Sequence, residues 1–69
     1  MPFANFKVPA NTLTEEQKQQ IVDRTTDLYA ELYGEVARPN TLVIVDEVVE
    51  GGWGIGGHVL TAAMLNQDR

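Results

Sequence analysis

The chain has 69 residues, of which 43% are hydrophobic, with a formal net charge of −5 and no cysteine. This length predicts a single domain, residues 1–69, and so small a domain buries only about 60% of the surface that its unfolded chain exposes. The absence of cysteine excludes disulfides and thiolate zinc sites, and a single histidine argues against a structural metal. We therefore expect self-association to supply the missing stability.

The negative charge makes nucleic acid and anionic membranes poor partners, because both carry negative charge themselves. No apolar run approaches the roughly 20 residues that a membrane helix needs. The start of the chain has no basic region followed by a hydrophobic stretch, as a secretory signal would. We expect a cytoplasmic protein that binds neither nucleic acid nor membrane.

The first predicted element is a strand over residues 3–8, FANFKV. Successive side chains of a strand point to opposite faces, so Ala4, Phe6 and Val8 share an apolar face that we expect to meet the core. Pro9 ends the strand, and the PAN that it opens is typical of a turn.

A helix is predicted over residues 14–33. Thr14 and Gln17 have the spacing of a capping box, in which each side chain satisfies a backbone donor at the helix start. Gly34 is a natural C-cap. Apolar positions at helical spacing form a stripe that we expect to face a sheet or another helix. The stripe comprises Ile21, Thr25, Leu28 and Leu32, flanked by Val22, Tyr29 and Tyr33.

After a turn over residues 38–41, RPNT, the segment LVIVDEVV predicts a second strand over residues 42–49. Its initial apolar run is typical of a parallel strand that is buried on both faces. Strand, helix and strand form a β-α-β unit, so the fold class is α/β with a right-handed crossover. One helix leaves part of a two-stranded sheet bare. We therefore expect two units to pair edge to edge into a four-stranded sheet, and such dimers to assemble further.

The segment GGWGIGGH concentrates glycine after the second strand. Gly52, Gly54 and Gly57 match the dinucleotide-binding pattern G-x-G-x-x-G, but the sequence that follows is too short for the helix and strand which that pattern needs. We expect a tight hairpin or a bulged loop with positive φ at several positions. Glycines also let the backbone approach a ligand or a neighbouring subunit, with Trp53 as an apolar wall. For residues 59–69 we expect either a short strand or a helical turn, followed by a frayed tail.

Other polar residues have simpler explanations than catalysis. His58 stands alone without a nucleophile at a recognisable spacing, so a structural role is the simpler interpretation, and a general base is the alternative. Asp46 and Glu47 are adjacent on a strand, point to opposite faces and therefore cannot form a carboxylate pair. The acidic residues that predict a solvated helix face are Asp23, Asp27 and Glu31.

Pro2 allows two interpretations. A proline is tolerated at the start of an edge strand, because its missing N–H costs nothing there. Alternatively, methionine ahead of a small residue is normally removed, which would leave Pro2 with a free secondary amine. An α-amino group has a reference pKa of about 7.7–8.0, and an apolar pocket lowers that pKa by disfavouring the ammonium form. Such a base takes a proton from carbon next to a carbonyl and returns it elsewhere.

Several short segments together carry a resemblance to a known family. They are MPF at the start of a strand, LTEEQKQQIV at the start of a helix, YGE at its end, then LVIVDEV and GGWGIGG. In this order and at these distances, the chain resembles the 4-oxalocrotonate tautomerase family of the tautomerase superfamily from residue 2 to about residue 60. EEQK and WGIGG are the most specific of these segments.

The resemblance implies a fold in which two β-α-β subunits pair into a four-stranded sheet and the dimers assemble into a hexamer. It implies that Pro2 is the catalytic base, and that no cofactor or metal is used. It places the family's aromatic wall beside the proline at Trp53, where phenylalanine is usual. The implied reaction moves a proton between the enol oxygen and a carbon of a 2-hydroxydienoate or related enol, so that enol and ketone interconvert.

The chain departs from the family at two arginines with which the best-studied members hold their substrate. Thr12 or Leu13 stands at the position of the first arginine, and Leu42 stands at the second. Without these bidentate donors, a dicarboxylate substrate would lose the charge-assisted hydrogen bonds that hold its carboxylates. The side chains that remain as candidates for substrate binding are Arg38, which is placed to reach a neighbouring pocket across a subunit interface, Asn40 and Lys7.

Two functions are consistent with these patterns. The first is a cofactor-independent enol–keto tautomerase, an isomerase, that acts on a small 2-hydroxyenoate or 2-keto acid with one carboxylate. The alternative is an oligomeric binding or structural protein with the same fold. It would lack tautomerase activity because the arginine clamps are absent or because Met1 is retained.

Overall fold

The computed structural model describes residues 1–61, so most of the segment predicted over residues 59–69 lies outside the described residues. The elements in chain order are strand β1 (Phe3–Pro9), helix α1 (Glu15–Tyr33), a 3₁₀ helix (Glu35–Asn40), strand β2 (Leu42–Val48) and the short strands β3 (Gly54–Ile55) and β4 (His58–Val59). The predicted α/β class and β-α-β unit are confirmed. Within these residues, no helix has the length and apolar character that crossing a membrane requires.

Strands β1 and β2 are parallel neighbours, and their register begins with Phe3 opposite Leu42. Residues paired in this way lie on the same face of the sheet. Lys18 of α1 binds Glu47 of β2 with Nζ and Oε2 3.0 Å apart, which identifies the face of Glu47 as the one that α1 covers. Phe6 lies on this covered face, as the alternation of β1 predicts.

The opposite face of the sheet is not covered by any element among residues 1–61. Its apolar side chains are well exposed, at 65% for Phe3, 49% for Leu42 and 39% for Ile44. On the same face, Lys7 and Asp46 form an ion pair with Nζ and Oδ2 2.7 Å apart. One helix supplies only one covering layer, so this face is bare in a single chain as expected. Burial of β2 on both faces stays a prediction for the oligomer.

The predicted capping box begins helix α1. The Gln17 N–H donates to Thr14 Oγ1 at 3.1 Å, and the Thr14 N–H donates to Gln17 Oε1 at 2.9 Å. The helix ends at Gly34, which has a φ of +96° and donates its N–H to the carbonyl of Ala30 at 2.8 Å. Both ends of the helix therefore satisfy backbone groups that would otherwise lack partners.

Replacement of Thr14 by alanine is expected to lower the free energy of unfolding by about 1 kcal/mol, because the Gln17 N–H of the first turn loses its acceptor, Thr14 Oγ1. For a chain of this size, that loss corresponds to a fall of about 4–8 °C in Tm. Thr26→Ala is the matched control, since Thr26 Oγ1 donates only to the Val22 carbonyl within the helix. Thermal unfolding followed by circular dichroism that gave equal losses for the two variants would contradict the capping role.

The inward face of α1 is rotated relative to the predicted stripe. Thr25 is buried as expected, but Leu28 and Leu32 are 50% and 66% exposed. The hydroxyl of Tyr29 donates to the Phe3 carbonyl at 3.2 Å, which holds the Tyr29 flank of the helix toward β1. Leu28 and Leu32 therefore face away from the sheet of their own chain.

The predicted turn over residues 38–41 overlaps a longer 3₁₀ helix, Glu35–Asn40, which contains Pro39 and is capped by Thr41. A 3₁₀ helix is a series of overlapping tight turns, so the residues that favour a turn are compatible with both. At the end of this 3₁₀ helix, Thr41 Oγ1 donates a hydrogen bond to the Ala37 carbonyl at 2.8 Å.

The glycine segment forms an antiparallel hairpin of β3 and β4, which confirms the hairpin prediction. Its turn residues Gly56 and Gly57 have φ angles of +58° and +83°, a region that side chains other than glycine's rarely adopt. Gly54 meets a different constraint, because a Cβ there would lie 2.6 Å from the His58 carbonyl oxygen. The dinucleotide interpretation is wrong, since a hairpin rather than a helix follows the glycines.

Candidate functional site

A groove of about 450 Å³ opens where the start of the chain meets the end of α1 and the 3₁₀ helix. Its lining residues are Met1, Pro2, Tyr33, Val36, Ala37 and Asn40. Pro2 is half-buried, and its carbonyl accepts a hydrogen bond of 3.0 Å from the Leu42 N–H, which fixes the proline at the start of the parallel pairing. Of the predicted site residues, Pro2 and Asn40 are thus brought together.

Two tyrosines of α1 connect the helix to this groove. The hydroxyl of Tyr29 bonds the carbonyl of Phe3, the residue that follows Pro2. The ring of Tyr29 lies 6.1 Å from the ring of Tyr33, which forms part of the groove wall. The sequence predicts helix packing for both rings and does not identify Tyr33 as a wall residue. The i, i+4 spacing of the two aromatic residues was the available signal.

Arg38 is held by two carboxylates and is not among the residues that line the groove. Its Nη1 lies 2.6 Å from Asp27 Oδ1, while its Nε and Nη2 lie 3.0 and 3.2 Å from the two carboxylate oxygens of Glu35. The hydrogen bonds to Glu35, and then to Asp27, raise the pKa of Arg38 further. The same guanidinium lowers the pKa of Glu35, mainly through its hydrogen bonds. Asp27 therefore belongs to an ion-pair cluster as well as to the predicted acidic helix face.

The lowered pKa of Glu35 predicts a pH-dependent contribution to stability. A carboxyl group whose pKa is lower in the folded state stabilises the fold above its ordinary pKa of 4.5, and the contribution is lost as the pH falls through the folded value. We expect Glu35→Gln to have a lower Tm than the parent protein at pH 7, and the difference to vanish in acid. Glu31→Gln, on the exposed side of α1, is the control. A Tm difference for Glu35→Gln that stays constant as the pH is lowered into the acid range would contradict this linkage.

The other two predicted site residues lie apart from the groove. Lys7 is bound to Asp46 on the uncovered face of the sheet and does not line the groove. Trp53 follows the end of β2, whereas Pro2 lies beside its start, and a strand of seven residues spans about 20 Å. The indole Nε1 of Trp53 is buried and has no hydrogen-bond partner among the described residues.

A second, more apolar groove of about 390 Å³ lies between α1 and β1. It is lined by Phe6, Leu13, Gln17, Gln20, Ile21, Arg24 and Thr25. Within the part of the chain that the structure describes, no three histidine, aspartate or glutamate side chains are grouped so that they could hold a metal ion. The polar side chains among the described lining residues of the first groove are those of Asn40 and Tyr33, and they lie there with the Pro2 ring.

The comparisons with known proteins agree on one family. A family model described as "Tautomerase enzyme" matches residues 2–63. "Probable tautomerase K2" of Dickeya dadantii is 39% identical over 61 residues, which are 88% of this chain and 90% of that protein. A crystal structure of DmpI from Helicobacter pylori has a TM-score of 0.72 at 38% identity, covering 86% of this chain and 95% of that one. A structure from a study of 4-oxalocrotonate tautomerase isozymes of Methylibium petroleiphilum has a TM-score of 0.72 at 33% identity, covering 93% and 97%.

Proposed function

The chain belongs to the tautomerase family, and from this premise we propose that it is a cofactor-independent enol–keto tautomerase with Pro2 as general base and acid. The observation that carries the proposal is the position of Pro2 in a groove without charged side chains among its described lining residues. Met1 is 86% exposed, so the bond that precedes Pro2 is open to an aminopeptidase. Removal of Met1 would turn the Pro2 nitrogen into a secondary amine and clear space in the groove.

In the proposed reaction, the Pro2 nitrogen takes the proton of the enol hydroxyl. The electron pair of the broken O–H bond becomes part of the new carbonyl, and the carbon–carbon double bond supplies the pair that takes a proton from the Pro2 ammonium. The proton therefore moves from oxygen to nitrogen to carbon, and the amine is regenerated. No oxidant, reductant or second substrate is required.

The proposed substrate is a small 2-hydroxyenoate, the enol of a 2-keto acid with one carboxylate. Asn40 supports it because its side-chain amide lies in the same groove as Pro2. Asn40 Nδ2 donates to the Val36 carbonyl at 3.3 Å, and its second N–H is the donor for a carboxylate or carbonyl oxygen. Substrate contacts by Arg38 and Lys7 stay predictions, and both cations are already paired with carboxylates of their own chain. The cytoplasmic location also stays a prediction.

The proposed active form is a homo-oligomer in which Trp53 of one subunit flanks Pro2 of another. Three observations support it. Phe3, Leu42 and Ile44 expose apolar surface on one face of the sheet, and Leu28 and Leu32 expose more on α1. Trp53 and Pro2 lie at opposite ends of the sheet, so a head-to-tail pairing of two chains would bring them together. A dimer with a four-stranded sheet, and a hexamer of three dimers, would meet these requirements.

The direct test is the ketonisation of phenylpyruvate enol by protein whose Met1 has been removed, followed by the loss of enol absorbance. We expect a rate far above that of buffer at equal pH. Intact-mass spectrometry of the same sample gives the fraction of chains that begin at Pro2, and the rate is expected to scale with that fraction. Equal rates in protein and buffer would overturn the proposal.

A binding protein with the same fold and no activity is the second candidate. It is favoured by Leu42 at the position of a family arginine and by the engagement of Arg38 with Asp27 and Glu35. If native protein retains Met1, the Pro2 nitrogen is an amide without basic character, and the second candidate replaces the first. Mass spectrometry of protein isolated from its natural host separates the two.

A further inference from the structure

The groove beside Pro2 offers apolar surface and hydrogen-bond donors rather than charge. Tyr33 and Val36 are 65% and 81% exposed, so each presents apolar surface to a bound molecule. The polar groups among its described side chains are the Asn40 amide and the Tyr33 hydroxyl. A groove of this composition accommodates an apolar or aromatic substituent and one polar end.

The ion-pair cluster of Arg38, Asp27 and Glu35 carries a net negative charge, and two of its members lie on the 3₁₀ helix that supplies three of the groove's lining residues. Arg38 is adjacent in sequence to Ala37 of the groove lining, and its guanidinium uses Nε, Nη1 and Nη2 in bonds to Asp27 and Glu35. Two carboxylates around one guanidinium leave an excess of one negative charge. A second substrate carboxylate near this cluster would meet repulsion, unless it displaced one of the two side chains from the guanidinium.

The other described basic side chains do not line this groove. Lys7 binds Asp46 on the uncovered face of the sheet, and Lys18 binds Glu47 on the covered face. Arg24 lines the second groove, between α1 and β1. Among the basic side chains of residues 1–61, Arg38 is therefore the one nearest in sequence to the groove lining, and its charge is already compensated by Asp27 and Glu35.

We infer, on the basis of the proposed tautomerase function, that the site selects enols with a single carboxylate and an apolar or aromatic tail. In this account Asp27 and Glu35 are specificity-determining residues, because they occupy the guanidinium of Arg38 that would otherwise bind a second carboxylate. Substrate selection would thus be set by two acidic side chains that act through Arg38 and need not touch the substrate themselves.

The test compares two enols that differ by one carboxylate: the enol of phenylpyruvate and the enol of 4-carboxyphenylpyruvate. With protein that begins at Pro2, we expect kcat/KM to be about tenfold higher for phenylpyruvate enol. In the double variant Asp27→Asn/Glu35→Gln, Arg38 is released and the ratio is expected to fall to one or below. Asp23→Asn is the matched control, because Asp23 lies one turn away on α1 and bonds Gln19 instead of Arg38.

A third variant distinguishes a neutralised Arg38 from one that binds substrate. Arg38→Gln removes the compensating charge from Asp27 and Glu35, so the discrimination against the dicarboxylate should increase. If Arg38 instead binds the common carboxylate of both enols, this variant would lower kcat/KM for both by a similar factor, and the inference would be wrong. Circular dichroism spectra that match the parent protein establish that each variant is folded.

The remaining outcomes separate this inference from the proposed function. Turnover of both enols at similar kcat/KM by the parent protein would overturn the selectivity and leave the tautomerase proposal intact. A ratio that the double variant leaves unchanged would overturn the role of Asp27 and Glu35. Turnover of neither enol above the rate in buffer would overturn the tautomerase proposal and this inference together.

Discussion

Replacement of Pro2 by alanine is expected to lower kcat/KM for enol ketonisation by at least about 10²-fold, the lower end of the contribution of a positioned acid–base group. Methionine is also removed ahead of alanine, so the variant keeps a terminal amine. That amine is primary, and its N–Cα bond rotates freely, whereas the ring of proline fixes φ and holds the nitrogen in one direction. Any remaining activity of Pro2→Ala would come from a terminal amine whose nitrogen is not held in the orientation that proton transfer needs.

Pro9→Ala is the matched control for this substitution. Pro9 ends the same strand, and its carbonyl accepts a hydrogen bond from Thr12 Oγ1 at 2.6 Å, which alanine would preserve. We expect near-parental kcat/KM for Pro9→Ala. Activity of Pro2→Ala close to that of Pro9→Ala would exclude Pro2 as the base.

A sample that keeps Met1 gives an independent measurement of the same role. Its Pro2 nitrogen is an amide, so we expect it to be inactive although its fold is unchanged. Treatment with a methionine aminopeptidase should restore activity in step with the loss of one methionine residue from the intact mass. Full activity before treatment would contradict a catalytic amine at Pro2.

The local features of this chain could be predicted because short-range chemistry determines them. Thr14 and Gln17 form the capping box that their spacing predicts, and the positive φ of Gly56 and Gly57 explains why the segment is a hairpin. The face of β1 that meets α1 followed from strict alternation of its side chains. In each case the relevant partners lie within a few residues, so the sequence alone contains the information.

Features that depend on distant partners could not be predicted in the same way. Arg38 bonds Asp27 eleven residues earlier, and nothing in the spacing distinguishes that aspartate from Asp23 or Glu31 on the same helix. The rotation of α1 that exposes Leu28 depends on a hydrogen bond from Tyr29 to a backbone carbonyl of β1. The groove itself arises where three elements meet, so its wall residues carry no sequence motif of their own.

Replacement of Ile44 by lysine is expected to dissociate the proposed oligomer and abolish most of its activity. Ile44 lies near the centre of β2 on the face that no described element covers, between Leu42 and the Lys7–Asp46 ion pair, and is 39% exposed in the single chain. An unpaired charge buried in an interface costs about 3–5 kcal/mol. About 3 kcal/mol corresponds to a loss of more than 10²-fold in the association constant. Sedimentation at micromolar concentration should then show a monomer.

The activity of this variant separates assembly from catalysis. Because Trp53 and Pro2 of one chain lie at opposite ends of its sheet, a dissociated chain would have a groove without the proposed Trp53 wall from a second subunit, and kcat/KM should fall with the oligomer. Ile44→Leu is the control, since a volume-conserving apolar exchange costs less than about 1.5 kcal/mol and should preserve both properties. A monomeric Ile44→Lys protein with full activity would mean that each chain is a complete catalyst, and would remove Trp53 of a second subunit from the site. An oligomer that survives the lysine would instead locate the interface elsewhere, with the exposed leucines of α1 as the next surface to test.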